Sequence, residues 1–140
     1  MSDQFDDGES SDGPISLGEM ARIAMDSFVR TDGATVNLYL GDLQGQRLFA
    51  VAVKGRGRRL PQRLITTSRI ERYIEDQIDL LNNKQYSLGI WYDAEEAVTW
   101  LDVSQTVPDE HTARQLAAER GEKAIYALED GREIDLSGSE

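Results

Sequence analysis

The sequence predicts an α+β domain: three helix–β-hairpin units, with about six strands in one mainly antiparallel sheet and the helices largely on one face. Three observations predict it. Apolar residues recur at helical spacing in three separate stretches, and each stretch is followed by short β-branched and aromatic runs. Turn residues part those runs in pairs, most clearly at Asp130-Gly131, a strong two-residue hairpin signal. Capping residues stand where the helices should begin. The three units differ in length and share no residue-level identity, so the order is a pattern and not a repeat. Helices and hairpins in this order bury a common core between one sheet and one helical layer.

The elements follow in turn. Ser16-Leu17-Gly18-Glu19 fits a capping box, in which the Ser16 hydroxyl takes an orphan N–H and Glu19 reaches back to the cap. Leu17, Met20, Ile23, Ala24 and Phe28 then recur at helical spacing, and Asp32-Gly33 supplies the left-handed stop. Residues 35–40 (TVNLYL) and 46–53 (QRLFAVAV) read as the first pair of strands, joined through Gly41-Asp42-Leu43-Gln44-Gly45. Ala50-Val51-Ala52-Val53 lacks polar alternation, which predicts a central strand covered on both sides. Residues 54–65 read as a loop. A second helix is expected from Ser68, boxed by Glu71, with Ile70, Tyr73, Ile74, Ile78 and Leu81 as its apolar stripe. Residues 86–92 and 98–103 form a hairpin around Asp93-Ala94-Glu95-Glu96. Pro108 and Asp109 open a third helix that Gly121 closes, and 123–128 with 132–136 make the last hairpin. The expected core includes Phe28, Leu38, Leu40, Val51, Ile74, Ile78, Leu88, Ile90, Trp100, Leu101, Val103, Ile125 and Leu128.

The chain has 140 residues, enough for one self-sufficient core over residues 15–136. Residues 1–14 carry Asp3, Asp6, Asp7, Glu9 and Asp12 and no base, and are expected to form a disordered acidic tail. Residues 137–140 are expected to fray. There is no cysteine, which excludes disulfides, thiolate metal sites and cysteine nucleophiles. No apolar run reaches the ~18 residues of a membrane span. The first residues are acidic where a signal peptide is basic and then apolar. A cytoplasmic protein is the expectation. The formal net charge of −11 is unevenly placed: bases exceed acids over residues 34–90, and acids dominate both ends. Such polarity bears on association, not on fold.

Two clusters are candidates for chemistry. The first is basic. Lys54, Arg56, Arg58, Arg59 and Arg63 stand in a stretch without an acid, beside the start of the second helix at Thr67, Ser68 and Arg69. Arginine forks suit phosphates and carboxylates, and free N–H groups at a helix N-terminus favour anions. This is the best anion or partner site in the sequence, although ordinary capping and charge balance account for the same residues. No Gly-Lys-Ser/Thr follows the glycines, so it is not a P-loop. The second cluster is acidic: Asp93, Glu95, Glu96 and Asp102, beside Trp91, Tyr92 and Trp100. Carboxylates flanked by aromatics serve glycoside hydrolysis or bind a divalent cation, but three of these four sit where turn residues belong. Trp91 and Trp100 read as a cross-strand pair. His111 is the single histidine and is expected exposed in the first turn of the third helix, and a triad through Ser104 and Asp102 would lack a nucleophile elbow. No catalytic residue, metal or cofactor is assigned.

The segments GATVNLYLGD, LFAVAV, LGIWYD, TWLDVSQTVPD and ARQLAAERGEKAIYAL resemble a group of small uncharacterised proteins of actinobacteria and their phages or mobile elements. The resemblance covers roughly residues 33–136 and rests on strands and turns. It implies a phage or mobile-element context and no activity. The expected function is therefore a non-enzymatic binding or accessory protein acting through protein–protein contact. A nucleic-acid-linked factor is the alternative, with residues 54–63 touching phosphate or the acidic surface imitating it. A small enzyme built on the 91–102 hairpin is the second alternative.

Overall fold

The structure is a computed structural model that describes residues 13–63 and 65–136. The acidic segment 1–12 and residues 137–140, for which disorder and fraying are expected, lie outside the described residues. In chain order the elements are α1 (Leu17–Thr31), β1 (Gly33–Asn37), β2 (Gly41–Asp42), β3 (Phe49–Ala52), β4 (Arg58–Leu60), α2 (Thr67–Asp76), α3 (Ile78–Leu81), β5 (Tyr86–Asp93), β6 (Val98–Val107), α4 (Glu110–Arg120), β7 (Ala124–Ala127) and β8 (Arg132–Asp135). One antiparallel sheet runs β2-β1-β5-β6-β3-β7-β8, with β4 also paired to β6. The α+β class and the mainly antiparallel sheet agree with the sequence. No helix among the described residues is long and apolar enough to cross a membrane.

Local signals set several boundaries as expected. The Ser16 hydroxyl accepts the Glu19 N–H at 3.0 Å, and α1 stops where Asp32 turns left-handed at φ 65°. Asp109 caps α4 by accepting the Thr112 N–H at 2.8 Å, and Gly121 closes it at φ 71°. The hairpins β5–β6 and β7–β8 form with the anticipated turns.

Four expectations are corrected. There are eight strands and four helices among the described residues, not six and three. The first expected hairpin does not form. Asn37 ends β1, because its side-chain oxygen accepts the N–H groups of Tyr39 and Leu40 while its amide donates to Lys84, Tyr86 and Ser87. The chain doubles back as β2, and residues 43–48 carry it across to β3, which lies between β6 and β7. Leu40, expected in the core, is 58% exposed in that turn. The stretch 54–65 is not wholly a loop. Gly55, at φ +83°, breaks a run along β6, and the run resumes as β4. Finally, the second helix is capped by Thr66, whose hydroxyl accepts the Arg69 N–H at 3.2 Å, not by Ser68. It breaks at Gln77, so that Ile78 and Leu81 belong to a separate turn, α3.

The register assigns the two faces of the sheet. Val36, Leu88, Ile90, Leu101 and Val103 face one way and meet Met20, Ala24 and Phe28 of α1 and Ile70, Tyr73 and Ile74 of α2. Val51 and Ile125 face the same way and meet Ala113 and Ala117 of α4. Alanines there let the helix backbone approach closely. Each large side chain wholly buried in this layer contributes roughly 1.5–3 kcal/mol.

Among the described residues the opposite face carries no helix. Its positions read Gly33 and Thr35 on β1, Gly89 on β5, Asp102 and Ser104 on β6, and Ala50 and Ala52 on β3. Small residues at these central positions, with Trp91, Trp100 and Tyr126 flanking them, leave room for the sheet to curl over them. The link after β2 ties distant strands together: Leu43 donates to the Thr35 carbonyl of β1 and Gly45 to the Leu128 carbonyl just after β7, both at 2.9 Å. The link from β2 to β3 thus closes against the β7–β8 hairpin across the concave side.

Candidate functional site

The concave face holds a cavity of about 560 Å³. That volume lies in the ~300–1,000 Å³ range of ligand sites. Its floor is the small-residue set Thr35, Gly89, Ala50, Ala52 and Ser104. Trp91 and Tyr126 form opposite walls, Gln44 comes from the crossing link, and Glu122 and Glu133 reach it from the start of β7 and from β8.

Asp102 is the central side chain. It stands opposite Gly89 in the β5–β6 register. A Cβ on Gly89 would lie 2.3 Å from the Asp102 Oδ1, so the carboxyl occupies the space that any other residue at 89 would fill. Protein encloses Asp102 except toward the cavity it lines, and burial pushes its pKa up to about 6. A hydrogen bond from the Trp91 side chain opposes that shift, and the Glu122 charge adds to it. The indole N–H is the one donor that tryptophan has. Burial also pushes the Tyr126 hydroxyl up, with Glu133 adding to the shift.

Trp91 is 44% exposed at the lip of the cavity. It stacks on Trp100 with ring centroids 6.2 Å apart and planes at 18°, the cross-strand pair the sequence predicts. Arg59 stands opposite Trp100 on β4 and reaches Glu96 at 3.6 Å. Arg63 lies over the Tyr92 ring at 5.0 Å and pairs with Asp32 at 2.7 Å.

The acidic cluster is not brought together. Asp93 builds the hairpin turn by accepting the N–H groups of Glu95 and Glu96. Glu95 is exposed there, and Glu96 faces Arg59. Asp102 lies across from Gly89, four residues back along β5, about 13 Å at strand spacing. Among the described residues no group of three or more acids or histidines is placed to hold a metal ion. His111 is exposed on α4, as expected.

The basic residues are in place but engaged with acids of the same chain. Arg56 forks onto Asp79 at 2.9 and 3.1 Å and donates to the Gln77 side chain at 2.8 Å. Hydrogen bonding to Arg56 holds the Asp79 carboxyl below its usual range. Arg58 pairs with Asp76 at 3.0 Å and lies over the Tyr73 ring at 5.0 Å. Tyr73 is wholly buried and donates to the Arg56 carbonyl at 2.5 Å. Lys54 is exposed in the break between β3 and β4. Thr67, Ser68 and Arg69 form the first turn of α2, where the Arg69 N–H is already taken by Thr66.

Sequence reasoning named Asp102 and Trp91 but missed Gly89, Tyr126, Glu122 and Glu133. The signal for the cavity is the small–large alternation in Ser87-Leu88-Gly89-Ile90. Comparison with protein-family models, with curated proteins and with solved structures returns no match.

Proposed function

We propose that the chain is a binding module for a protein partner and that the concave face of the sheet is its working surface. The cavity beside exposed Trp91 carries this reading. On the same face, beside Trp91, the strand register places Trp100 and Arg59. Tryptophan, tyrosine and arginine are the residues that dominate interface energetics. The resemblance noted above sets such a partner in a phage or mobile-element context. A phosphate-binding role for residues 54–63 gains nothing from arginines that already meet Asp32, Asp76, Asp79 and Glu96.

The test is affinity capture from the producing cell with four forms of the protein. Wild type and Arg72→Ala, altered on the exposed side of α2, should retain the same protein in stoichiometric amount. Ala52→Phe, which fills the cavity floor, and Trp91→Ala should lose it. Equal retention by Ala52→Phe overturns the concave-face reading.

One observation favours a second reading, an enzyme using Asp102 as general acid or base. A carboxyl pushed up to about 6 at the floor of a cavity is poised for proton transfer near neutral pH. That reading requires a turnover that Asp102→Asn removes while binding persists.

A further inference from the structure

The cavity is selective in charge. Asp102 lies at its floor, and Glu122 and Glu133 line it from the β7–β8 side. Asp32 also borders it but is held by Arg63. Among the described residues no lysine or arginine lines it. The Trp91 side chain hydrogen-bonds the Asp102 carboxyl, and that carboxyl lines the cavity. The site is also built around this group: Gly89 leaves the space the carboxyl fills, and Trp91 fixes it from the side. A carboxylate largely enclosed by protein is costly to ionise unless an opposite charge joins it. Aromatic faces beside a carboxylate attract cations as well, tryptophan most strongly. An anion entering here would meet like charges with no counter-charge.

We propose that the group received by this cavity is an arginine guanidinium or lysine ammonium of the protein partner, seated on Asp102 between Trp91 and Tyr126. This inference rests on the concave-face reading and specifies what that face recognises. The fork of a guanidinium matches the two oxygens of a carboxylate, whereas an ammonium meets it as a point charge. Glu122 and Glu133, which also line the cavity, add negative charge that favours the cation there.

The experiment is an NMR titration of the ¹⁵N-labelled protein, following the Trp91 indole N–H, which Trp91→Phe assigns. The probes are N-acetyl-arginine amide, N-acetyl-lysine amide and the neutral isostere N-acetyl-citrulline amide. The arginine or the lysine probe should shift the indole resonance saturably, with a Kd of about 1 mM or tighter. The citrulline probe should bind at least about tenfold more weakly, and Asp102→Asn should weaken the cationic probe by a similar factor. Glu122→Gln should weaken it severalfold. Asp102→Asn keeps the shape of the side chain, and retained dispersion of its amide spectrum shows that it folds. Equal binding of citrulline, an unaltered affinity in Asp102→Asn, or no saturable shift with either cation overturns the inference. If partner capture is lost in Ala52→Phe yet unchanged in Asp102→Asn, the concave face binds by other means and only the cation is wrong. If capture survives Ala52→Phe, the concave-face reading falls with it.

Discussion

Gly89 and Asp102 oppose each other on β5 and β6, and neither position is intelligible without the other. The carboxyl lies where a side chain at 89 would be, 2.3 Å from a would-be Cβ. Gly89→Ala must therefore displace Asp102 or the strands. A destabilisation of about 1–3 kcal/mol is expected by urea denaturation, as for other overpacked sites. The double variant Gly89→Ala/Asp102→Ala should recover part of that loss, because the clash goes with the carboxyl. Asp102 also ties stability to pH. Its folded value of about 6 stands above the ordinary 3.8, so between those values the folded state holds the proton more tightly than the unfolded one. Stability from this group is thus full below the lower value, falls as pH rises through the window, and is lost above about 6. Asp102→Asn should be more stable than wild type at about pH 7.5, by up to about 3 kcal/mol, and the gap should close near pH 4. Denaturation midpoints at the two pH values check this, and a constant gap would count against a buried, ionised Asp102.

At the scale of elements, helix starts were legible where one capping residue stood alone and ambiguous where several stood together. Ser16 and Asp109 cap the helices the sequence assigns to them. In Thr66-Thr67-Ser68 the Ser68–Glu71 spacing suggests a box, yet Thr66 makes the cap. Spacing does not choose between adjacent hydroxyls. The choice follows from which residue keeps extended geometry, and here it is Thr66, at φ −101° and ψ 157°. Thr66→Ala should cost about 1 kcal/mol, while exposed Ser68→Ala should stay within about 0.5 kcal/mol of wild type in the same denaturation assay. Strands show a similar division. The β5–β6 and β7–β8 hairpins are sequence-local, and both form where the turn residues place them. The expected 35–40 and 46–53 pair failed because Asn37, a side chain with both donors and an acceptor, ends β1 by bonding to residues nearly fifty positions away.

At the scale of the whole molecule, the curl of the sheet makes the candidate site. Closure depends on the contact of the 43–48 link with Leu128, which is wholly buried. Leu128→Ala should cost about 2–5 kcal/mol, whereas Leu40→Ala, 58% exposed, should change stability by less than about 0.5 kcal/mol. A similar effect of both substitutions on the denaturation midpoint would contradict this closure. Charge is also arranged at this scale. The middle segment is basic in sequence, but Arg56, Arg58, Arg59 and Arg63 pair with acids from α3, α2, the β5–β6 turn and the residue after α1. Exposed pairs of this kind contribute little stability, yet they reduce the field a phosphate would meet.

The sequence by itself determined the helical and strand periods, the two later hairpins, two of the caps and the small–large alternation along the strands. All of these act through neighbours within a few residues, where periodicity and turn chemistry are read directly. Only the tertiary structure decided that β3 lies between β6 and β7, that the basic stretch is spent on internal acids, and that Asp102 parts from Asp93, Glu95 and Glu96 to face a cavity. Those outcomes depend on strand order and curl, which arise from contacts between residues far apart in the chain. The pleat fixes which side of its strand a residue occupies, but a residue's partners across the cavity are set by the closure of the whole sheet.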